Sequence, residues 1–271
     1  MIIDFHTHIF PDAIAPATIE ALSKNASIPP HSNGMESGLL SQMSEAGVDI
    51  AINLPVLTKA KQFDSIKKFG LNLNAKGDSY PRIISFAGMH PDIEDYEARL
   101  EEIKALGFLG IKLHPDYQGT FIDDEKYIKM LSYAKKLDLI TVTHAGLDGA
   151  FIGEPIKCTP ERVLRLLWAL DGYDKLVLAH MGGNELFADV LENLAGESVY
   201  FDTSYVLSSI GRDMFEKILA KHGDDKILFA TDSPWQNECK DIERLRAFRL
   251  GDSVNEKIFS KNALRLLNLE V

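Results

Sequence analysis

The chain has 271 residues, of which 45% are hydrophobic and 25% charged, a balance typical of a folded globular protein. Its 29 basic and 40 acidic residues give a net charge of −11, which argues against nucleic-acid binding because no basic excess neutralises phosphates. Cys158 and Cys239 provide neither a disulfide framework nor a paired-cysteine metal site. The sequence shows no targeting segment and no apolar run near the ~18 residues of a membrane span, so we expect a cytoplasmic protein.

Short β-rich runs recur along the whole chain. The predicted strands cover residues 2–6, 49–54, 83–89, 108–114, 139–144, 175–180, 199–203 and 227–231. Several of these runs are almost continuously apolar, which is typical of parallel strands that are buried on both faces. Strand and helix patterns alternate eight times, which predicts an α/β fold with a single (β/α)8 TIM-barrel domain over residues 1–271. An open, doubly wound sheet is the alternative.

The segments between the strands carry helix signals. Thr159 and Pro160 supply a cap residue and a first-turn proline, and segment 123–136 begins with acidic residues and ends in two lysines, which complements the helix dipole. Besides the helix that starts at Thr159, the predicted helices cover 38–46, 57–73, 92–106, 123–136, 184–194, 211–222 and 241–250.

A long insertion separates the first strand from its helix. It covers residues 9–37 and contains a helical piece around 11–23. Loops of this length inside a compact domain are usually functional or mobile. We therefore predict a lid or specificity segment over the top of the barrel; a solvated insertion without a role is the alternative.

The histidines are concentrated at strand ends. Of the eight histidines, six lie at or just after the end of a predicted strand: His6, His8, His90, His114, His144 and His180. Active sites of TIM barrels form at that face. Buried imidazoles need partners and repel one another when protonated, whereas neutral imidazole is a common ligand of zinc and similar ions. The pattern therefore indicates a metal site.

Four strand ends supply the candidate ligands and catalytic residues. His6 and His8 close the first strand, and residues two apart on a strand point to the same side, so both imidazoles can bind one ion. His144 and His180 end the fifth and sixth strands. Asp232 follows the eighth strand, where it is placed to bind the ion, to accept a proton from its water, or both; a helix cap is the alternative.

The fourth strand and two later loops supply candidates for substrate binding. Lys112 and His114 share one face of the fourth strand. Three roles remain open for Lys112: a partner of a substrate carboxylate, a carbamylated bridge between two metals, or a buried ion-pair partner. Tyr205 and Trp235 lie in the loops after the seventh and eighth strands, where aromatic rings form either a substrate wall or loop anchors.

These motifs resemble the amidohydrolase superfamily, and most closely the amidohydrolase-2 group that includes aminocarboxymuconate-semialdehyde decarboxylase. The resemblance covers nearly the whole chain and rests on segments 4–11, 110–115, 143–146, 179–183, 230–234 and 257–267. It implies that His6, His8, His144 and Asp232 bind one divalent ion, zinc or alternatively manganese. It also implies that His180 is a nearby catalytic residue and that the chain forms a homo-oligomer.

Two motifs also resemble the TatD-type nucleases. They are segments 88–91 and 231–235. That group, however, has a glutamate ligand on the fourth strand, where this chain has Lys112 and His114. Together with the negative net charge, this departure makes a nuclease the lesser alternative.

Hydrolysis of a small-molecule ester, lactone or amide is the first expectation. Asp232 would take a proton from the metal-activated water, and His180 would orient that water or stabilise the developing oxyanion. The alternative is non-hydrolytic decarboxylation of a small unsaturated or aromatic acid, with Lys112, Lys157 or Arg162 as the cation for the carboxylate. Binding of a metal or metabolite without turnover is the third possibility. The expected partner is a small-molecule substrate, with neither nucleic acid nor membrane.

Overall fold

The computed structural model describes residues 1–77 and 79–270. Strands β1 to β9 are, in chain order, Ile3–Thr7, Ile50–Asn53, Arg82–Ser85, Ala87–Gly88, Gly110–Leu113, Ile140–Thr143, Leu176–Leu178, Tyr200–Asp202 and Ile227–Leu228. Helices α1 to α11 are Ala15–Ala26, Glu36–Ala46, Phe63–Asn74, Tyr96–Ala105, Glu125–Lys136, Pro160–Ala169, Phe187–Asp189, Arg212–His222, Glu238–Ala247, Asp252–Glu256 and Asn262–Leu267. Within the described residues, no helix is long and apolar enough to cross a membrane.

The strands form one closed parallel barrel. Strands β1 to β3 pair in order, as do β4 to β9. The amide of Phe86, between β3 and β4, donates to Asn53 O at 3.0 Å, so β3 and β4 act as the single predicted strand 83–89. The circle closes where Phe5 N donates to Phe229 O at 2.9 Å and Asp232 N donates to His6 O at 2.8 Å. The predicted TIM barrel is thereby confirmed.

Two apolar layers surround the strands. Side chains such as Ile52, Val142 and Leu228 fill the barrel interior, and Leu266 of α11 packs against the same cluster. Leu178 and the other outward-facing strand residues pack against the surrounding helices. This division explains why most strands are apolar at consecutive positions.

Strand β1 departs from regular alternation. Its register with β2 shifts between Asp4 and Thr7. Phe5 packs inside the barrel, with its ring centroid 6.1 Å from that of Phe86, while the next residue, His6, reaches the barrel mouth. A bulge of this kind redirects a side chain, and here it brings His6 into the site.

The helix boundaries follow local capping chemistry. The predicted cap Thr159 accepts from Arg162 N at 3.3 Å. Helix α9 begins before the predicted start at residue 241 because Asn237 accepts from Lys240 N at 3.1 Å. The predicted helix 184–194 is wrong at its start, since Asn184 N donates to Ala145 O at 3.0 Å and this bond holds Asn184 against the loop after β6. Only Phe187–Asp189 is α-helical there, and 190–194 forms a wider turn.

Glu238 in α9 makes the stability depend on pH. Burial, reinforced by the charge of Asp241, raises the pKa of Glu238 from 4.5 to about 7. Since the folded-state pKa is raised, the stabilisation is complete below about pH 4.5 and is lost as the pH rises through about 7. We expect Glu238→Gln to raise the free energy of unfolding by about 1–3 kcal/mol at pH 8 and to change it little at pH 5. Urea denaturation at both pH values tests this, with Glu243→Gln on the exposed face of α9 as control. Equal effects at the two pH values would contradict it.

Candidate metal centre

A cavity of about 420 Å³ opens at the carboxyl ends of the strands. Nine residues predicted for the site line it: His6, His8, Lys112, His114, His144, His180, Tyr205, Asp232 and Trp235. The parallel barrel brings these strand ends to one face, which is why residues distant in sequence meet there.

Three of the four predicted metal ligands converge on one point. His6 Nε2 and His8 Nε2 lie 3.1 Å apart. Asp232 Oδ1 is 3.0 Å from His8 Nε2 and 3.5 Å from His6 Nε2. We call His6, His8 and Asp232 the ligand trio; their donor atoms all lie within 4.8 Å of one another.

The partners of the two imidazoles determine their tautomers. His6 Nδ1 donates to Asp202 Oδ2 at 2.9 Å, and His8 Nδ1 donates to the carbonyl oxygen of Leu54 at 2.8 Å. With Nδ1 engaged in this way, each ring directs its Nε2 toward the other ring and toward Asp232, where it can bind a metal ion. Lys112 Nζ contacts His6 Nε2 at 2.9 Å, whereas a metal ion can bind all three donors at once. The ligand trio therefore fits a divalent metal ion, and Asp202 orients one of its ligands in the manner of known metal sites.

The charge states of His6 and Asp232 also suit metal binding. Burial, together with the charge of Lys112, lowers the pKa of His6 to about 3, so this imidazole is neutral near pH 7. Burial alone would raise the pKa of Asp232, but the hydrogen bond with His8 and the charge of His6 lower it to about 2. Neutral imidazoles and an ionised carboxylate are the ligand forms that zinc and manganese require.

The fourth predicted ligand, His144, lies outside the ligand trio. His180 Nδ1 donates to the carbonyl oxygen of Ser204 at 2.9 Å, so His180 Nε2 accepts from His144 Nδ1 at 3.0 Å. This leaves His144 Nε2 as a bare acceptor, buried and without a hydrogen-bond partner among the described residues. It faces Asp116 Oδ2 at 3.8 Å. The role of His144 as a ligand stays a prediction.

A second polar group adjoins His144. His114 Nε2 lies 3.2 Å from Asp148 Oδ2, and the His114 and His144 rings stack with centroids 4.2 Å apart. Donor atoms of His114, His144 and Asp148 also lie close enough together to hold a metal ion. Burial raises the pKa of the neighbouring Asp116 to about 6.

Lys112 projects from β5 into the centre of the site. Its Nζ lies 2.9 Å from His6 Nε2, and the side chain is buried. Burial lowers the pKa of Lys112 to about 8, although the charges of Asp202 and Asp232 oppose this shift. Among the described residues, the close contact of Lys112 Nζ is with the imidazole of His6 and not with a carboxylate. The ion pair, one of the three roles left open for Lys112, is therefore not observed.

The other two candidate cations lie away from the ligand trio. Arg162 donates to Asp123 at 2.7 Å, and Lys157 lies 3.5 Å from Glu154. Neither is among the described residues that line the cavity. His90 accepts from the amide of Asp92 at 3.1 Å and so caps a turn.

The backbone is strained where it carries the site. His180, Tyr205 and Asp232 have φ angles of 60°, 66° and 70°, a left-handed conformation that side chains other than glycine rarely adopt. Strain of this kind is concentrated at functional sites. The hydrogen bond from Asp232 N to His6 O holds the last of these conformations.

Sequence analysis missed several residues that support the site. Asp202 follows the apolar residues of β8, which is the same signal that identified Asp232 after β9. Asp202 Oδ1 also accepts from His180 N at 2.9 Å. Asp116 and Asp148 lie in loops, where an acidic residue carries no comparable signal.

Comparisons with known proteins agree with this architecture. The family model described as Amidohydrolase matches residues 3–269. No curated protein shows significant similarity to the chain. The fold resembles that of 2,6-dihydroxybenzoate decarboxylase from Rhizobium, with 20% identity, a TM-score of 0.71 and 98% of each chain covered.

Two further solved structures share the fold. One is 5-carboxyvanillate decarboxylase from Sphingomonas paucimobilis, with 16% identity, a TM-score of 0.72 and 99% of each chain covered. The other is dihydroxybenzoic acid decarboxylase from Polaromonas sp. JS666, which holds manganese and the inhibitor 2-nitroresorcinol. It is 18% identical with a TM-score of 0.73, and the match covers 99% of this chain and 97% of that one. At these identities the likeness shows the fold, while the family model spans nearly all residues. The chain therefore belongs to the amidohydrolase family, in its amidohydrolase-2 group.

Proposed function

We propose that the chain is a metal-dependent, non-oxidative decarboxylase of a small aromatic or unsaturated carboxylic acid. The position of Lys112 carries this proposal. Among the described residues that line the cavity it is the only lysine or arginine, and it lies beside the ligand trio. A carboxylate in a largely apolar cavity needs such a cation. A metal ion bound to the trio would supply a second positive charge that polarises a substrate oxygen.

The solved structures with this fold also favour decarboxylation over hydrolysis, because they include enzymes named as decarboxylases of dihydroxybenzoate and carboxyvanillate.

The chain's own residues supply the remaining chemistry. When the bond between the ring carbon and the carboxyl carbon breaks, carbon dioxide leaves, and the electron pair left on the ring carbon takes up a proton. His180 lines the cavity, its Nε2 accepts a hydrogen bond from His144 Nδ1, and its Nδ1 donates to the carbonyl oxygen of Ser204. We assign the proton transfer to His180 and His144. Tyr205 and Trp235 border the same space and provide aromatic contact area for the ring.

Release of carbon dioxide tests the proposal. Protein loaded with zinc or manganese is incubated with aromatic acids, including 2,6-dihydroxybenzoate and 5-carboxyvanillate, and in parallel with esters and lactones. Carbon dioxide release from at least one acid is the expected result. Turnover of esters or lactones without carbon dioxide release would replace the proposal with hydrolysis.

Lys112→Met tests how the acid is held. Loss of a charge-assisted hydrogen bond costs about 1.5 kcal/mol or more, so we expect kcat/KM to fall about tenfold or more, chiefly through KM. Metal content should stay near the wild-type value, since Lys112 is not in the ligand trio. Lys157→Met is the matched control, because Lys157 lies outside the cavity lining described above. An unchanged KM in Lys112→Met would contradict this role.

A further inference from the structure

The insertion after β1 presents two apolar faces. Helix α1 buries Ala15 and Ile19, and Ile19 lies against Gly34 of the same insertion. A second set of residues, spaced four apart, lines the cavity: Ile14, Thr18, Leu22 and Ala26. A spacing of four places these residues on one helix face. This face therefore borders the same cavity as the ligand trio.

Other elements complete the same apolar wall. Ile66 and Phe69 of α3 line the cavity, as does Ile28 after α1. The end of α1 lies against the loop after β6, where a Cβ added to Gly149 would be 3.4 Å from the carbonyl oxygen of Ala26. We call the part of the cavity lined by Ile14, Leu22, Ala26, Ile28, Ile66 and Phe69 the apolar arm.

The six residues of the apolar arm are uncharged, and the polar residues Thr18, Gln62 and Ser65, which line the cavity on or next to the same helices, are uncharged as well. The charged side chains among the described lining residues are Lys112, Asp148 and Asp232. All of them belong to the ligand trio or its neighbours, and none belongs to the apolar arm. The volume of about 420 Å³ lies within the range that accommodates a drug-sized ligand, so the cavity can hold more than a small acid group.

We propose that the substrate carries an alkyl extension that lies in the apolar arm while its acid group lies at Lys112 and the ligand trio. The acid group rests on the proposed function, whereas the extension is deduced from the arm. Water in the apolar arm would leave the side chains of Ile14, Leu22 and Ile66 hydrated, and an alkyl chain would displace that water. Each buried methylene group contributes about 0.8 kcal/mol, which corresponds to about fourfold in affinity.

Binding of n-alkyl hydroxamates tests the proposal without turnover. Hydroxamates bind metal ions through their head group, so a series from acetohydroxamate to decanohydroxamate varies only the tail. Isothermal titration calorimetry is performed on the zinc-loaded, full-length protein. We expect affinity to rise about fourfold per methylene up to a limiting length and then to level off. A series without this rise, including one in which the long chains fail to bind, overturns the proposal.

Variants of α1 locate the tail. Ala26→Phe fills the arm and should shorten the limiting chain length, whereas Ala21→Phe, on the exposed face of the same helix, should leave the series unchanged. Leu22→Gln should lower the gain per methylene and serves as a second test with a smaller change in volume. An unaltered series in both Ala26→Phe and Leu22→Gln would overturn the assignment to the arm. Carbon dioxide release by the wild-type protein is scored separately, so failure of the decarboxylase proposal is distinguishable from failure of this one.

Discussion

Replacement of Asp232 by asparagine is expected to abolish turnover and to empty the metal site while the barrel stays folded. Asparagine has nearly the same shape but lacks the negative charge that Asp232 Oδ1 places 3.0 Å from His8 Nε2. Without this carboxylate, the ligand trio keeps its two imidazole nitrogens but loses its negative charge, which weakens metal binding. We expect kcat to fall about 10³-fold or more, because the metal ion that would polarise the substrate is lost.

Metal analysis, circular dichroism and the turnover assay are performed on the same preparation of Asp232→Asn. Asp189→Asn, at an exposed position on α7, is the matched control for the chemical change. Wild-type kcat together with wild-type metal content in Asp232→Asn would remove Asp232 from the site.

Replacement of Asp202 by asparagine is expected to weaken metal binding about 100-fold, although Asp202 is not a member of the ligand trio. Asp202 Oδ1 accepts from His180 N and Ser204 N, so the amide oxygen must take this position in the variant. The amide NH2 group then faces His6 Nδ1, which lies 2.9 Å from Oδ2 in the wild type. His6 must accept this hydrogen bond, and its proton moves to Nε2. A protonated Nε2 cannot bind a metal ion, and loss of such orienting partners typically costs 10–100-fold.

A competition titration with a chromogenic chelator measures the metal dissociation constant of Asp202→Asn. Asp174→Asn, which is exposed after α6, is the control. An unchanged dissociation constant would show that the tautomer of His6 is not determined by Asp202.

The barrel was predictable because its signals are local and repeated. Apolar runs such as Leu176–Leu178 identify strands buried on both faces, and Asp232 was recognisable as an acidic residue directly after one of them. His6 and His8 were recognisable through their spacing. Once the strands are parallel, their carboxyl ends meet, so the convergence of these residues follows from the fold.

Other features depend on contacts that local sequence does not encode. His144 bonds to His180 and lies outside the ligand trio. This arrangement depends on Ser204, which holds the His180 ring and is distant in sequence. The face of α1 that lines the cavity was not predictable from the sequence, for two reasons. Thr18 interrupts its apolar pattern, and Ala15 and Ile19 give the same helix an ordinary buried face. The position of Lys112 beside His6 required the register of β5 in the closed barrel.

The metal content of the wild-type chain, purified without chelators and without an affinity tag that removes metal, tests the central claim most directly. The ligand trio predicts about one equivalent of zinc or manganese per chain, retained through gel filtration. A chain that contains no metal, and takes none up when zinc and manganese are added, would contradict a metal centre at His6, His8 and Asp232.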